Sequence, residues 1–184
     1  MLKFMFTYKI FLLIFMISLG VSIDQYSKSL VKEKIFQEYY ISLNKSKYCS
    51  SKIIILVPNN INIIYQENNA AAFSLANEIP LNIRKLILIT ANIISIIFCL
   101  IWFFYIKNTD IILTIFLPFI LVGSVSNFID RVQLGYVIDY LDIYSNFFSL
   151  KQFHWPIFNI ADFFIVVGII AIIIDVMFFA KRIK

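Results

Sequence analysis

The stretch from Ile111 to Arg131, IILTIFLPFILVGSVSNFIDR, decides the fold. Its run from Ile111 to Ile129 carries no charged side chain, and about 20 mostly apolar residues let a helix cross the hydrocarbon core of a bilayer. The run then ends abruptly in Asn127, Asp130 and Arg131, polar groups that are costly at membrane depth and mark a site when they cluster. Working outward, three more stretches have the same character: Phe4 to Ile23, Leu86 to Ile106 and Phe163 to Ala180. The first has some marks of a cleaved signal peptide, because Lys3 and Lys9 precede an apolar core and Ser18 and Gly20 are small. Its length and the polar motif that follows it favour a retained span. The pattern predicts an all-α membrane protein, a four-transmembrane-helix bundle, folded as a single domain over residues 1–184.

Composition agrees. Of 184 residues, 61% are hydrophobic and 15% charged, whereas soluble domains run at about 45 to 50% apolar and about 25% charged. The net charge of +5 does not point to nucleic acid, since the basic residues are scattered and no soluble fold is left to present them. Lys3, Lys9, Lys107, Lys181, Arg182 and Lys184 fall on one side of the four spans, which the positive-inside rule makes cytoplasmic. Arg84 and Lys85, on the opposite side, run against that orientation. Of the two cysteines, Cys99 lies in an apolar run and Cys49 in a polar loop, so neither a disulfide nor a zinc site is expected.

The long segment between the first two spans alternates apolar and polar residues at Ile53 to Val57 and Ile61 to Tyr65, around Pro58, Asn59 and Asn60. It reads as a short hairpin or small sheet. Lys107 to Asp110 alone join the second and third spans, which should form a tight antiparallel pair.

Four spans place the end of the first, the start of the second, the end of the third and the start of the fourth on one side. The unusual polar residues gather there: Asp24 and Lys28, Asn68 and Asn69, Asn127, Asp130 and Arg131, Asp139 and Asp142, then Asn159 and Asp162. Asn127 and Asp130 are three apart, as are Asn159 and Asp162, so on a helix each pair shares a face. Asp162 lies near the amino end of its helix, where the macrodipole favours negative charge. Gly135 allows the backbone to turn and carry Asp139 toward the fourth span. Two carboxyls brought together in a partly dehydrated place cannot comfortably both ionise, so the pair shares a proton. One can then take a proton from water while the other donates to a carbonyl oxygen, as acid–base hydrolysis requires.

Structural roles stay open for each acid. An acid near a helix end also serves as a cap. Asp24 with Lys28 fits an i,i+4 ion pair, and Asp130 with Arg131 fits a structural network. Asp142 could be solvated, Asp175 suits the terminal basic cluster, and His154 beside Trp155 suits interfacial anchoring. Two other functions fit parts of the pattern. A small proton- or cation-coupled transporter would use intramembrane acids, and a metal hydrolase could hold a hard cation with Asp130, Asp139, Asp142 and Asp162.

Taken in order, the motifs resemble those of the lipoprotein signal peptidases, or signal peptidase II. Asp24-Gln25-Tyr26-Ser27-Lys28 is similar to D-x-x-S/T-K, and Asn68-Asn69-Ala70-Ala71-Ala72-Phe73-Ser74 to N-x-G-A-A/S-F-S. Gly123 through Asn127-Phe128-Ile129-Asp130-Arg131 and on to Gly135-Tyr136-Val137-Ile138-Asp139-Tyr140 follows G-N-x-x-D-R…G-x-V-x-D-F. Phe158-Asn159-Ile160-Ala161-Asp162 matches F-N-x-A-D. The resemblance implies a catalytic pair Asp139 and Asp162, with Asp24, Lys28, Asn68, Asn127, Asp130, Arg131 and Asn159 organising the pocket or touching substrate. It implies no cofactor and no metal. It implies a diacylglyceryl-modified bacterial prolipoprotein as substrate, cut before the lipid-bearing cysteine, in the cytoplasmic (inner) membrane with the site facing outward. The implied fold adds a small extracytoplasmic β-sheet to the bundle, and membrane lipid is the surrounding partner of a chain expected to act as a monomer. Three residues stand where the family has glycine: Ala70, Val122 and Ser126. They are read as drift within an active enzyme, all acids and amides of the site being retained.

Overall fold

The computed structural model describes residues 2–36, 53–69, 80–106, 110–145 and 153–179. Ala70, the tight link at Lys107 to Thr109, and the terminal basic cluster lie outside the described residues. Four helices are long and apolar enough to cross a membrane: α1 (Leu2–Val31), α2 (Leu81–Tyr105), α3 (Ile111–Gln133) and α4 (Ile160–Phe179). The expected spans are all present, but the first is longer than its apolar run. Instead of ending at Ile23, α1 continues through Asp24 and Lys28 and then through a π-helical turn, Lys32–Phe36. The two charges do not stop the helix because they neutralise each other one turn apart and are buried against α3.

Helix α3 is the hub, packing against each of the other three. Around it Leu13, Phe103, Leu117, Leu121 and Ile172 form one apolar core. The large side chains turned the other way, such as Phe11 and Ile14 on α1, Ile94 and Phe98 on α2 and Ile169 and Ile170 on α4, are exposed. This is the lipid-facing pattern of a small bundle. Gly123 lets α3 and α4 close tightly. A Cβ there would lie 2.3 Å from the Ala161 carbonyl oxygen and 2.4 Å from the Ile165 side chain, a backbone approach that small residues permit in membranes. At the opposite end of the bundle Lys9, 4% exposed, donates to the Ile106 carbonyl at 3.1 Å and lies over the Phe103 ring. A cation at the carboxyl end of α2 suits the helix dipole.

A four-stranded antiparallel sheet of order β1-β2-β3-β4 caps the other end. The expected hairpin is β1 (Ile54–Val57) and β2 (Ile61–Asn68), turned at Asn59 with φ 64°, a conformation asparagine tolerates. The third strand, β3 (Val137–Ser145), follows α3 through Gly135 at φ 90°, and β4 is the short Phe153–His154. Strand β3 pairs with β2 so that Asp139 lies opposite Gln66, and Val137 opposite Asn68. Ile138 and Tyr140 pack on Val31 and Ile35 of the extended α1. Beyond Asp139 the strand is stitched to the lead-in of α4: the Leu141 amide donates to the Phe158 carbonyl at 2.8 Å, and the Phe158 amide donates back at 3.2 Å. Two backbone bonds therefore fix the carrier of Asp139 against the carrier of Asp162.

Candidate active site

The polar residues buried at the sheet end form two connected layers. The deeper one centres on Lys28, 2% exposed, whose Nζ lies 2.7 Å from Asp24 Oδ2, 2.8 Å from Asp130 Oδ2 and 3.2 Å from Asn127 Oδ1. All three ammonium protons are thereby used. Asp24 is fully buried; its Oδ2 also accepts from Ser126 Oγ, and its Oδ1 accepts the Ala161 amide at 2.8 Å. Asp130 accepts from Gln25 Nε2 at 2.7 Å and from the Ile138 amide at 3.4 Å. Buried ions are tolerated when paired and fully hydrogen-bonded, and removing one partner of such a cluster typically costs about 3 to 5 kcal/mol. Asp24 and Lys28 thus form the i,i+4 ion pair that their spacing suggested, within this buried cluster.

The second layer carries Asp139 and Asp162. Asn159 and Asp162 make a reciprocal cap on α4: Asn159 Oδ1 accepts the Asp162 amide at 2.9 Å, while Asp162 Oδ2 accepts the Asn159 amide at 3.3 Å. The other Asp162 oxygen accepts from Asn127 Nδ2 at 2.8 Å. Asp139, 2% exposed, has an amide on each oxygen, Asn159 Nδ2 at 2.7 Å and Asn68 Nδ2 at 2.8 Å. Asn159 therefore touches both acids, and Asn127 joins Asp162 to Lys28. Burial first, and then the charge of Asp162, push the Asp139 carboxyl up to about 7, against the opposing pull of Asn68, Asn159 and Lys28. Two interacting carboxyls of this kind hold a single proton between them near neutrality.

Arg131 donates to the Asn127 carbonyl at 3.4 Å, and its guanidinium faces the charges of Asp162, Asp139 and Asp130. Its buried Nε has no hydrogen-bond partner among the described residues. The nine residues that the resemblance assigns to the site, namely Asp24, Lys28, Asn68, Asn127, Asp130, Arg131, Asp139, Asn159 and Asp162, are thus brought to one end of the bundle. Asp142 is not among them. It accepts from Asn62 Nδ2 at 3.2 Å, its register partner on β2, which separates it from the other three acids of the metal reading. Among the described residues, no group of three metal-ligating side chains is found.

Sequence reasoning missed Gln25, whose amide bridges Ser126 and Asp130, and Tyr140, whose hydroxyl shares a hydrogen bond with Ser27 at 2.7 Å. Gln25 carried a readable signal, being polar and adjacent to Asp24 on a helix that does not stop. Val122, one of the three departures, has a counterpart: a Cβ on Gly20 of α1 would fall 2.6 Å from its side chain. The small residue of that contact lies on α1 instead of α3.

The fold and this site define a class, a multi-pass membrane enzyme with its polar groups gathered at one end of a four-helix bundle. The model of the family described as signal peptidase (SPase) II matches residues 16–178. Lipoprotein signal peptidases of Syntrophus aciditrophicus and Geobacter metallireducens are 31% and 34% identical to it. Those alignments cover 90% and 92% of this chain, and 93% and 91% of the relatives. A bacterial membrane enzyme structure obtained by the in meso method at 2.3 Å resolution superposes with a TM-score of 0.69 at 26% identity, covering 94% of this chain and 91% of that one. This chain belongs to the signal peptidase II family.

Proposed function

We propose that this chain is an aspartic endopeptidase that removes the signal peptide from diacylglyceryl-modified prolipoproteins, cutting before the lipid-modified cysteine. Asp139 and Asp162 are its catalytic pair. The observation that carries the reading is the shared clamp: Asn159 holds Asp139 at 2.7 Å and caps Asp162 at 2.9 Å, so two acids from different elements are presented together beside Arg131. With one proton on the pair, the ionised carboxylate takes a proton from water while the protonated one donates to the carbonyl oxygen of the scissile bond. The resulting tetrahedral adduct collapses as a proton passes to the leaving amine. Arg131 supports negative charge as it develops, and its free Nε is a donor for a substrate carbonyl.

The site faces the outer side of the bacterial cytoplasmic membrane, with both termini inside and the substrate's acyl chains in the surrounding lipid. The bundle is small and carries no further helix-pairing motif, so the chain acts as a single domain and a monomer. Among the described residues, the buried charged groups are Lys9 at one end and Asp24, Lys28, Asp130 and Asp139 at the other. A proton or cation path needs such groups through the bilayer depth, so the peptidase reading is favoured over a transporter. The deciding experiment is cleavage of a lipid-modified precursor by purified protein. Asp139→Asn and Asp162→Asn should each lower turnover by about 10³-fold or more. Near wild-type turnover in either folded variant sinks the assignment.

A further inference from the structure

Among the buried hydroxyls that the chemistry above leaves unused, two stand where the family pattern has none. Ser126 replaces a glycine of the third motif, and Tyr140 takes the place of the phenylalanine that follows the acid. Ser126 is completely buried on α3; its Oγ donates to Asp24 Oδ2 and accepts from Gln25 Nε2 at 3.2 Å. Through its other oxygen the same carboxylate accepts the Ala161 amide at 2.8 Å. Tyr140 is 4% exposed and shares a hydrogen bond with Ser27 of α1 at 2.7 Å.

Ile160, Ala161 and Asp162 are the first three residues of α4, and the amides of a first helical turn have no partner inside their own helix. Here two of them have a side-chain acceptor: Asp24 for Ala161 at 2.8 Å and Asn159 for Asp162 at 2.9 Å. Asp24 comes from α1, and Tyr140 ties that same stretch of α1 to β3 through Ser27, whose Oγ also donates to the Asp24 carbonyl at 2.7 Å. We propose that Ser126 and Tyr140 are positioning residues of this chain, whose hydroxyls fix the Asp24 stretch of α1 against the first turn of α4 and against β3, and so hold Asp162 in register with Asp139. The inference rests on the reading of those two acids as the catalytic pair. Ser126 acts at one remove: without its hydroxyl, Asp24 Oδ2 keeps only Lys28 and the carboxylate is free to swing from the Ala161 amide. Tyr140 acts through Ser27, tying the strand of Asp139 to α1.

The test compares Ser126→Gly, Ser126→Ala and Tyr140→Phe with wild type, using kcat and KM for a lipid-modified precursor and amide exchange of the peptide spanning Phe158 to Phe164. Ser126→Gly restores the family residue and Tyr140→Phe removes one oxygen, so neither strains the fold. Each variant should lose about three- to tenfold in kcat, the worth of one hydrogen bond, with KM within about twofold and faster exchange at Ala161. Wild-type kcat and exchange in Ser126→Ala and Tyr140→Phe overturn the proposal. So does a loss confined to Ser126→Gly, which would make Ser126 a filler of volume. Asp162→Asn is run in parallel: if it is inactive while the hydroxyl variants are normal, only this inference falls. If it is active, the reading of the pair falls and this inference with it.

Discussion

Asp139 is the residue through which pH acts on both stability and turnover. Its carboxyl sits at about 7 in the folded chain and near 3.9 in an unfolded one. Below about pH 4 both states hold the proton and the site contributes nothing. Between about 4 and 7 the unfolded chain ionises first, so folding loses stability as pH rises, and the whole penalty is present above 7. Asp139→Asn removes that titration. In thermal unfolding of the detergent-solubilised protein it should gain on wild type as pH rises from 5 to 8, and a gap constant across that range would contradict the burial argument. Turnover of wild type should fall above about pH 7, as the shared proton is lost. At this scale much was legible. The i,i+3 spacing of Asn127 with Asp130 and Asn159 with Asp162, and the i,i+4 spacing of Asp24 with Lys28, placed the right groups on the right faces. Gln25 to Ser126 was not legible, because that contact depends on where α1 crosses α3, which no local spacing encodes.

Among the elements, the crossing of α1 over α3 carries its own test. Val122 fills the space beside Gly20 that a side chain on α1 would otherwise occupy. Gly20→Ala alone should overpack the contact and cost about 1 to 3 kcal/mol. Val122→Ala alone should leave a cavity of similar cost. The double variant should recover most of the loss, and simple additivity of the two in denaturant or thermal unfolding would show that the residues do not share one space. The four helices and the hairpin were readable from apolar runs and turn residues. The continuation of α1 past Ile23 was not, because hydropathy ends where the charges begin, while helical spacing continues through Asp24, Ser27, Lys28 and Val31. Strand β3 also escaped notice. Its partner β2 is some 70 residues away in sequence and its edge is completed by the α4 lead-in, so its pairing is entirely long-range.

For the whole molecule, the orientation is the open physical claim. Asn59, at the tip of the β1–β2 turn, lies at the sheet end of the bundle. In intact cells, Asn59→Cys on a background with Cys49 changed to serine should react with a membrane-impermeant thiol reagent. Labelling only after permeabilisation would invert the topology. Membrane class and span count followed from composition, whereas sidedness rested on scattered lysines, with Arg84 and Lys85 at the sheet end arguing the other way. Lys85 lies beside the Gly135 turn, its Nζ 3.4 Å from where a Cβ would be. The reciprocal amide bonds between Leu141 and Phe158 carry one more consequence. They sit between the two acids and everything from Asp142 to Ile157, so that excursion is pinched off at its neck. Residues added or deleted beyond that neck should leave the spacing of Asp139 and Asp162 untouched, because the pairing that sets it closes before the excursion begins.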